Sequence, residues 1–227
     1  MKRSEVNALI EKAKALLHAH HVSLPPFGYW TPREWSAKGH ECDEIRDCRL
    51  GWDVTDFGLG TFREKGLVLF TLRNGHYTLA PYRNKTYCEK LIIVEENQVC
   101  PMHYHVSKQE DIISRCGGNC VIELHNRAPD DSLADTEIEV SMDGVRRRLP
   151  AGARVVLRPG ESITLPPFLY HAFWAEPGSG TAVLGEVSMV NDDETDNRFL
   201  EPIGRFPKIE EDCEPNHYLC FEYPKAP

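Results

Sequence analysis

His103 and His105 stand two apart, just after the strand-like run Leu91-Ile92-Ile93-Val94. In an extended segment, residues i and i+2 share a face, so two imidazoles converge there while Tyr104 points away. Glu110 follows five residues after His105. That odd offset requires a turn around Ser107 to Gln109 before the carboxylate can enter the same cavity. His171 is the best candidate for a fourth donor. Three neutral imidazole nitrogens and one carboxylate oxygen suit a borderline divalent ion such as Mn, Fe, Co, Ni or Zn, and donor type alone does not choose among them.

A lone His-x-His more often marks two exposed strand residues than a metal site. Here Glu110 comes next, and Gly117-Gly118-Asn119 then reads as a hairpin turn between two β-rich runs. The pattern resembles the first cupin motif, carried by His103, His105, Glu110 and Gly117. That family's glycine six residues before the first histidine is Asn97 here. A second cupin motif is carried by Gly160, Pro166 and His171, with Phe168 at its usual glycine and Ala175 at its trailing asparagine. These departures bear on turn geometry more than on donors, so the four-residue metal set stands. The resemblance implies an all-β cupin double-stranded β-helix, an antiparallel barrel or sandwich, holding its ligands inside.

The elements around the motifs agree. Ser4 is a plausible N-cap for a helix in which Val6, Leu9, Ile10, Ala13, Leu16 and Leu17 recur at offsets of three and four. It should end near His18 to His21, where imidazoles suit the negative helix end. Residues 27 to 66 form a loop-rich aromatic arm (Phe27, Tyr29, Trp30, Trp35, Trp52, Phe57, Phe62), with a short helix start at Thr31-Pro32. From Leu67 the chain is β-dominated. Leu67 to Leu72 and His76 to Leu79 read as a hairpin about Asn74-Gly75, and Ile138 to Met142 with Val145 to Leu149 as another about Asp143-Gly144. Further strands are expected at Lys90 to Val94, Gln98 to His105, Glu110 to Cys116, Cys120 to His125, Val155 to Leu157, Ser162 to Leu165, His171 to Trp174 and Thr181 to Ser188. The polar run Asn191 to Arg198 directly follows the strand carrying Glu186 and is expected at the mouth of the barrel. The division expected is a helix and packing arm over 1–66, a cupin barrel over 67–200 and a tail over 201–227 packed on the barrel.

The chain's 227 residues suffice for one substantial core, and 41% hydrophobic with 27% charged residues is ordinary for a globular protein. A formal net charge of −9 argues against a nucleic-acid partner. Arg146-Arg147-Arg148 is the one basic run and reads as a solvated strand edge. No stretch approaches the ~18 apolar residues of a membrane span. Glu5 and Glu11 interrupt anything resembling a signal peptide. The expectation is therefore a cytoplasmic protein whose eight cysteines are reduced thiols.

Nearly the whole chain resembles the D-lyxose isomerases, a family of cupin sugar isomerases. The likeness runs from the N-terminal helix through Phe27-Gly28-Tyr29-Trp30 and the His103–Glu110 motif to Glu186-Val187-Ser188-Met189-Val190-Asn191-Asp192. It implies interconversion of D-lyxose with D-xylulose and of D-mannose with D-fructose, Mn²⁺ as cofactor, and a homodimer. Moving a carbonyl from C1 to C2 needs a base and an acid within hydrogen-bond reach, and a cation to stabilise the enediol oxygens. Glu186 is the candidate base and Lys108 the candidate acid or oxyanion stabiliser, with Asp193 and Arg198 holding hydroxyls. Lys108 as a solvent-exposed side chain, and Glu186 as a partner of a ligand histidine, are the competing assignments. Strand parity places Glu186 on the face of Leu184, where partial desolvation would raise its pKa. Two other functions remain open: a non-haem iron cupin dioxygenase, which uses the same donor set and is disfavoured by the polar 191–198 stretch, and a non-catalytic sugar-binding cupin.

Overall fold

Side-chain alternation along the strands decides the architecture. The computed structural model describes residues 1–227 and contains fourteen strands. They are β1 (Gly51–Thr55), β2 (Leu67–Arg73), β3 (Tyr87–Val94), β4 (Val99–His105), β5 (Glu110–Gly117), β6 (Cys120–Arg127) and β7 (Leu133–Ala134), followed by β8 (Ile138–Met142), β9 (Val145–Leu149), β10 (Ala153–Leu157), β11 (Ser162–Leu165), β12 (Leu169–Ala175), β13 (Ala182–Met189) and β14 (Asn197–Phe199). Eight form a sheet in the order β1-β2-β3-β13-β5-β11-β8-β9. The order β10-β6-β12-β4-β14 makes the second, with β7 on β6. Residues such as Ile92, Ile112 and Leu184 from the first sheet meet Ile122, Leu124 and Phe173 from the second in a core of 21 buried side chains.

The opposite face of the larger sheet is covered too. Val6, Ile10, Ala13 and Leu17 of α1 (Arg3–Ala19) pack on Trp52, Val54, Val68, Phe70, Leu91, Ile93 and Val183. Central strands of this sheet are thus buried on both faces, which is why Leu67 to Phe70 and Leu91 to Val94 read as unbroken apolar runs. The helix is capped differently from the expectation. Its N-cap is Lys2, without a side-chain bond, and Ser4 lies inside the first turn. Ser4 donates from N and Oγ to the Asp212 carboxylate, so an acid from the C-terminal tail serves the positive helix end. Arg3 adds ion pairs to Glu211 and Glu222.

Three further expectations need correction. Residues His76 to Leu79 form no strand. β2 pairs with β3 instead, while the Asn74 side chain bonds the Cys48 and Asn191 carbonyls. A strand in the arm was not anticipated: β1, where Trp52 and Val54 face α1 while Asp53 and Thr55 are buried on the other side. Gly117-Gly118-Asn119 is not a hairpin turn, because β5 and β6 belong to different sheets and the glycines carry the chain between them. The departures from the cupin glycines have a structural counterpart. Asn97 and Phe168 both hold positive φ, 61° and 64°, so each adopts the conformation a glycine would take at no cost.

Gly117 has φ +78°, and a Cβ there would stand 2.3 Å from the Thr181 carbonyl oxygen. Gly117→Ala is therefore expected to lower unfolding stability by more than about 1 kcal/mol. Urea midpoints of the two proteins check this; equal midpoints would show that the sheet crossing tolerates a side chain.

Candidate active site

His103 on β4 lies directly opposite His171 on β12, so the two imidazoles enter the interior side by side, with ring centroids 4.2 Å apart. His105 follows on the same face. The ring of His103 donates from Nδ1 to the Pro101 carbonyl at 2.8 Å, and His171 from Nδ1 to the Leu169 carbonyl at 3.0 Å. Those bonds fix the tautomer and leave each Nε2 with a free lone pair. One ligand atom from each histidine lies within 4.8 Å of the others. The turn after His105 brings in Glu110, whose oxygens stand 3.3 Å from His105 Nε2 and 3.2 Å from His171 Nε2. Buried His171 Nε2 has no hydrogen-bond partner. An orphaned lone pair beside a carboxylate and two more imidazoles fits a divalent cation by donor chemistry. Burial, and then the neighbouring His171 and His105, hold the His103 pKa well below the usual value. Glu110 would be raised by burial, but Lys108 and His105 override this and keep it well below the carboxylate range.

Lys108 and Glu186 meet beside this cluster. The Lys108 ammonium is buried, 2.8 Å from Glu110 Oε2 and 2.9 Å from Glu186 Oε1. Glu186 on β13 shares the interior face with Leu184, as parity requires, and is directly opposite Lys90 on β3. Lys90 Nζ sits 3.2 Å from Glu186 Oε1 and 2.6 Å from Asn191 Oδ1. The expected rise in the Glu186 pKa is not found. Burial pushes it up, but Lys108 and Lys90 outweigh burial and hold it below its ordinary 4.5. Desolvation was the only influence legible from strand parity; the two cations come from β3 and from the turn between β4 and β5.

Asp193 also reaches the site, where Arg205 binds it through Nε at 3.1 Å and binds Asp53 at 2.5 Å. Arg198 does not. It is exposed and donates to the carbonyls of Thr195 and Asn197, so the guanidinium at the site belongs to Arg205. Lys90, Asp53, Asp196 and Arg205 were all missed in the sequence. A lysine in register with inward Ile92 and Val94, and an aspartate alternating with Trp52 and Val54, were usable signals. Arg205 sits in an irregular tail and offered none. Five carboxylates (Asp53, Glu110, Glu186, Asp193, Asp196) face three permanent cations (Lys90, Lys108, Arg205), an excess of negative charge that a divalent ion would offset. A cavity of about 50 Å³ touches His103, His105, Glu110, Lys108 and Glu186. It adjoins an outer cavity of about 230 Å³ through shared walls at Leu69, Lys90, Asn191, Asp193 and Arg205.

Known proteins similar to this chain share a family description. A family model described as D-lyxose isomerase matches residues 1–223. The D-lyxose/D-mannose isomerase of Serratia proteamaculans is 49% identical over 224 residues, covering 98% of each chain. That of Escherichia coli O157:H7 is 47% identical with the same coverage. The D-lyxose ketol-isomerase of Thermofilum sp. (strain ex4484_79) is 30% identical over 69% of this chain and 81% of its own. Among solved structures, Cellulomonas parahominis L-ribose isomerase superposes with a TM-score of 0.58 at 22% identity, over 89% of this chain and 93% of that one. The fold is thus the cupin-like double-stranded β-helix expected from the motifs. No helix is long and apolar enough to cross a membrane.

The charge network sets an acid limit on stability. Glu110 and Glu186 are held below 4.5 by the cations beside them. Carboxylates depressed in the folded state contribute stability that is complete above the unfolded pKa and is lost as pH falls through the folded one. The urea midpoint of metal-free protein should therefore fall as pH drops below 4.5. Equal midpoints at about pH 5 and about pH 3 would contradict this network.

Proposed function

We propose a function on the premise that those matches establish: the chain belongs to the D-lyxose isomerase family. It is an aldose–ketose isomerase, acting on D-lyxose to give D-xylulose and on D-mannose to give D-fructose. The observation that carries the reading is the meeting of three buried imidazoles and Glu110 with the Lys108–Glu186 pair in an inner cavity that adjoins Lys90, Asn191, Asp193 and Arg205. His103, His105, Glu110 and His171 would hold a divalent ion, Mn²⁺ by family resemblance. When bound, the ion supplies Lewis acidity toward the sugar oxygens at C1 and C2.

The protein's own groups move the protons. Glu186, ionised at neutral pH, takes the proton from C2 of the open-chain aldose and returns it to C1. Lys108 is cationic, its pKa raised by Glu110 and Glu186 in spite of burial; it donates to the C1 oxygen as negative charge develops there and takes the C2 hydroxyl proton back as the carbonyl forms at C2. As Lys108 turns toward the C1 oxygen, Glu186 loses one of the two cations that depress it and becomes the stronger base. Asp193 accepts from sugar hydroxyls, and Arg205 holds Asp193 in place. The polar walls at Lys90, Asn191, Asp193 and Arg205 suit a polyhydroxy substrate better than a dioxygenase pocket. A homodimer in the cytoplasm completes the proposal.

Metal-loaded protein should convert D-lyxose to D-xylulose with or without oxygen, and chelation should stop it. Oxygen consumption would favour the dioxygenase, and binding without conversion the sugar-binding module. His171→Ala should lose the ion while keeping the fold. Glu186→Gln should keep the ion and lose about 10²–10⁴-fold in turnover, together with exchange of the C2 proton into deuterated water. Wild-type exchange in the Gln variant would move the base elsewhere.

A further inference from the structure

Two of the three histidines are oriented by their own strands, through the carbonyls of Pro101 and Leu169. His105 is not. Its Nδ1 faces Asp196 Oδ2 at 3.3 Å, and the two atoms are buried without any other hydrogen-bond partner. The second oxygen of Asp196 accepts from Ser107 N and Ser107 Oγ, both at 2.7 Å. The main chain repeats the link, since Val106 N donates to the Asp196 carbonyl at 3.0 Å and Asn197 pairs with His105 across β14 and β4. The segment that supplies Asp196 also supplies Asn191 and Asp193 to the walls of both cavities. It is braced internally, because Asp196 N donates to the Asp192 carbonyl while Glu194 N and Thr195 N donate to the Asp192 side chain.

We propose that Asp196 is a positioning residue that couples His105 to the 190–197 segment, so that a divalent ion bound at the histidines orders the wall of the sugar cavity. This rests on the metal-binding reading above. A carboxylate accepting from Nδ1–H fixes the ring so that Nε2 presents its lone pair, and it makes the imidazole a stronger donor to a cation. A cation on Nε2 in turn strengthens Nδ1–H as a donor to Asp196. Such a link is reciprocal: whatever the carboxylate adds to ion affinity, the ion adds to the stability of the docked segment. A merely structural role, capping the 105–107 turn through Ser107, predicts no effect on ion affinity.

The test titrates metal-stripped protein with Mn²⁺ by calorimetry and follows hydrogen exchange of residues 190–198 with and without the ion. Asp196→Asn keeps an oxygen for Ser107 and removes the charge facing His105, so Mn²⁺ affinity should fall about 10–100-fold. The ion should slow exchange of 190–198 in the wild type and leave it nearly unchanged in the variant. Ser107→Ala, which removes the Oγ bond to Asp196 and keeps the one from Ser107 N, should bind Mn²⁺ as the wild type does. Wild-type affinity in a folded Asp196→Asn protein overturns the coupling, as does wild-type exchange that ignores the ion. The wild-type exchange measurement stands even if the variant does not fold. A wild type that binds no divalent ion overturns the metal reading itself, which separates the two failures.

Discussion

A buried ammonium with two carboxylates on it is the interaction from which the interior follows. Lys108 Nζ touches Glu110 and Glu186 on the neighbouring strands β5 and β13 of the larger sheet, and Glu110 in turn meets His105 and His171 of the smaller one. No charge survives in such a place unpaired, because transfer from water costs several kcal/mol per ion even after relaxation. Each member of the network is accordingly met by an opposite charge: Glu186 by Lys108 and Lys90, Asp193 and Asp53 by Arg205. Removing one partner strands the others. This makes the network a poor source of stability and a strong source of specificity for one arrangement of side chains.

Holding that arrangement falls to the sheets. The larger one is packed on both faces, by the inter-sheet core inside and by α1 outside. Lys90, Glu186 and Glu110 therefore project from strands with little freedom to shift. The C-terminal tail contributes in two places. Glu211 and Asp212 tie down the start of α1, and Arg205 reaches the polar cavity. Sequence ends that look peripheral thus close the structure around the site.

Legibility in the sequence follows from how each residue is placed. His103 and His105 were readable by strand parity, and Glu110 and His171 by motif spacing, which brings them to the same interior from two sheets. Glu186 was readable by parity alone, but its ionisation was not, since Lys90 and Lys108 act on it from β3 and from the motif turn. Arg198 was chosen because it lay in the polar run, and Arg205 was not considered. Backbone folding decides the matter, turning Arg198 outward in β14 while the tail returns Arg205 to Asp193. The failed hairpin at Asn74-Gly75 has a similar cause. A turn-forming dipeptide is a local signal, and here the Asn74 side chain is taken by the distant Cys48 and Asn191 carbonyls.

The paired cavities bear on which sugars the proposed reaction accepts. D-Mannose is D-lyxose extended by one hydroxymethyl group, at the end remote from the reacting carbons. With C1 and C2 in the small inner cavity, that extension falls toward the outer one, whose about 230 Å³ leaves room for it. A pentose and a hexose then share one reactive geometry. A sugar phosphate does not fit the same logic. The outer walls carry Asp47, Asp53, Asp192, Asp193 and Glu194. Its cations are already engaged, Arg49 by Glu194, Arg205 by Asp53 and Asp193, and Lys90 by Glu186. A phosphate there would meet an acidic surface with no free guanidinium or ammonium to receive it, so electrostatics selects the unphosphorylated sugar.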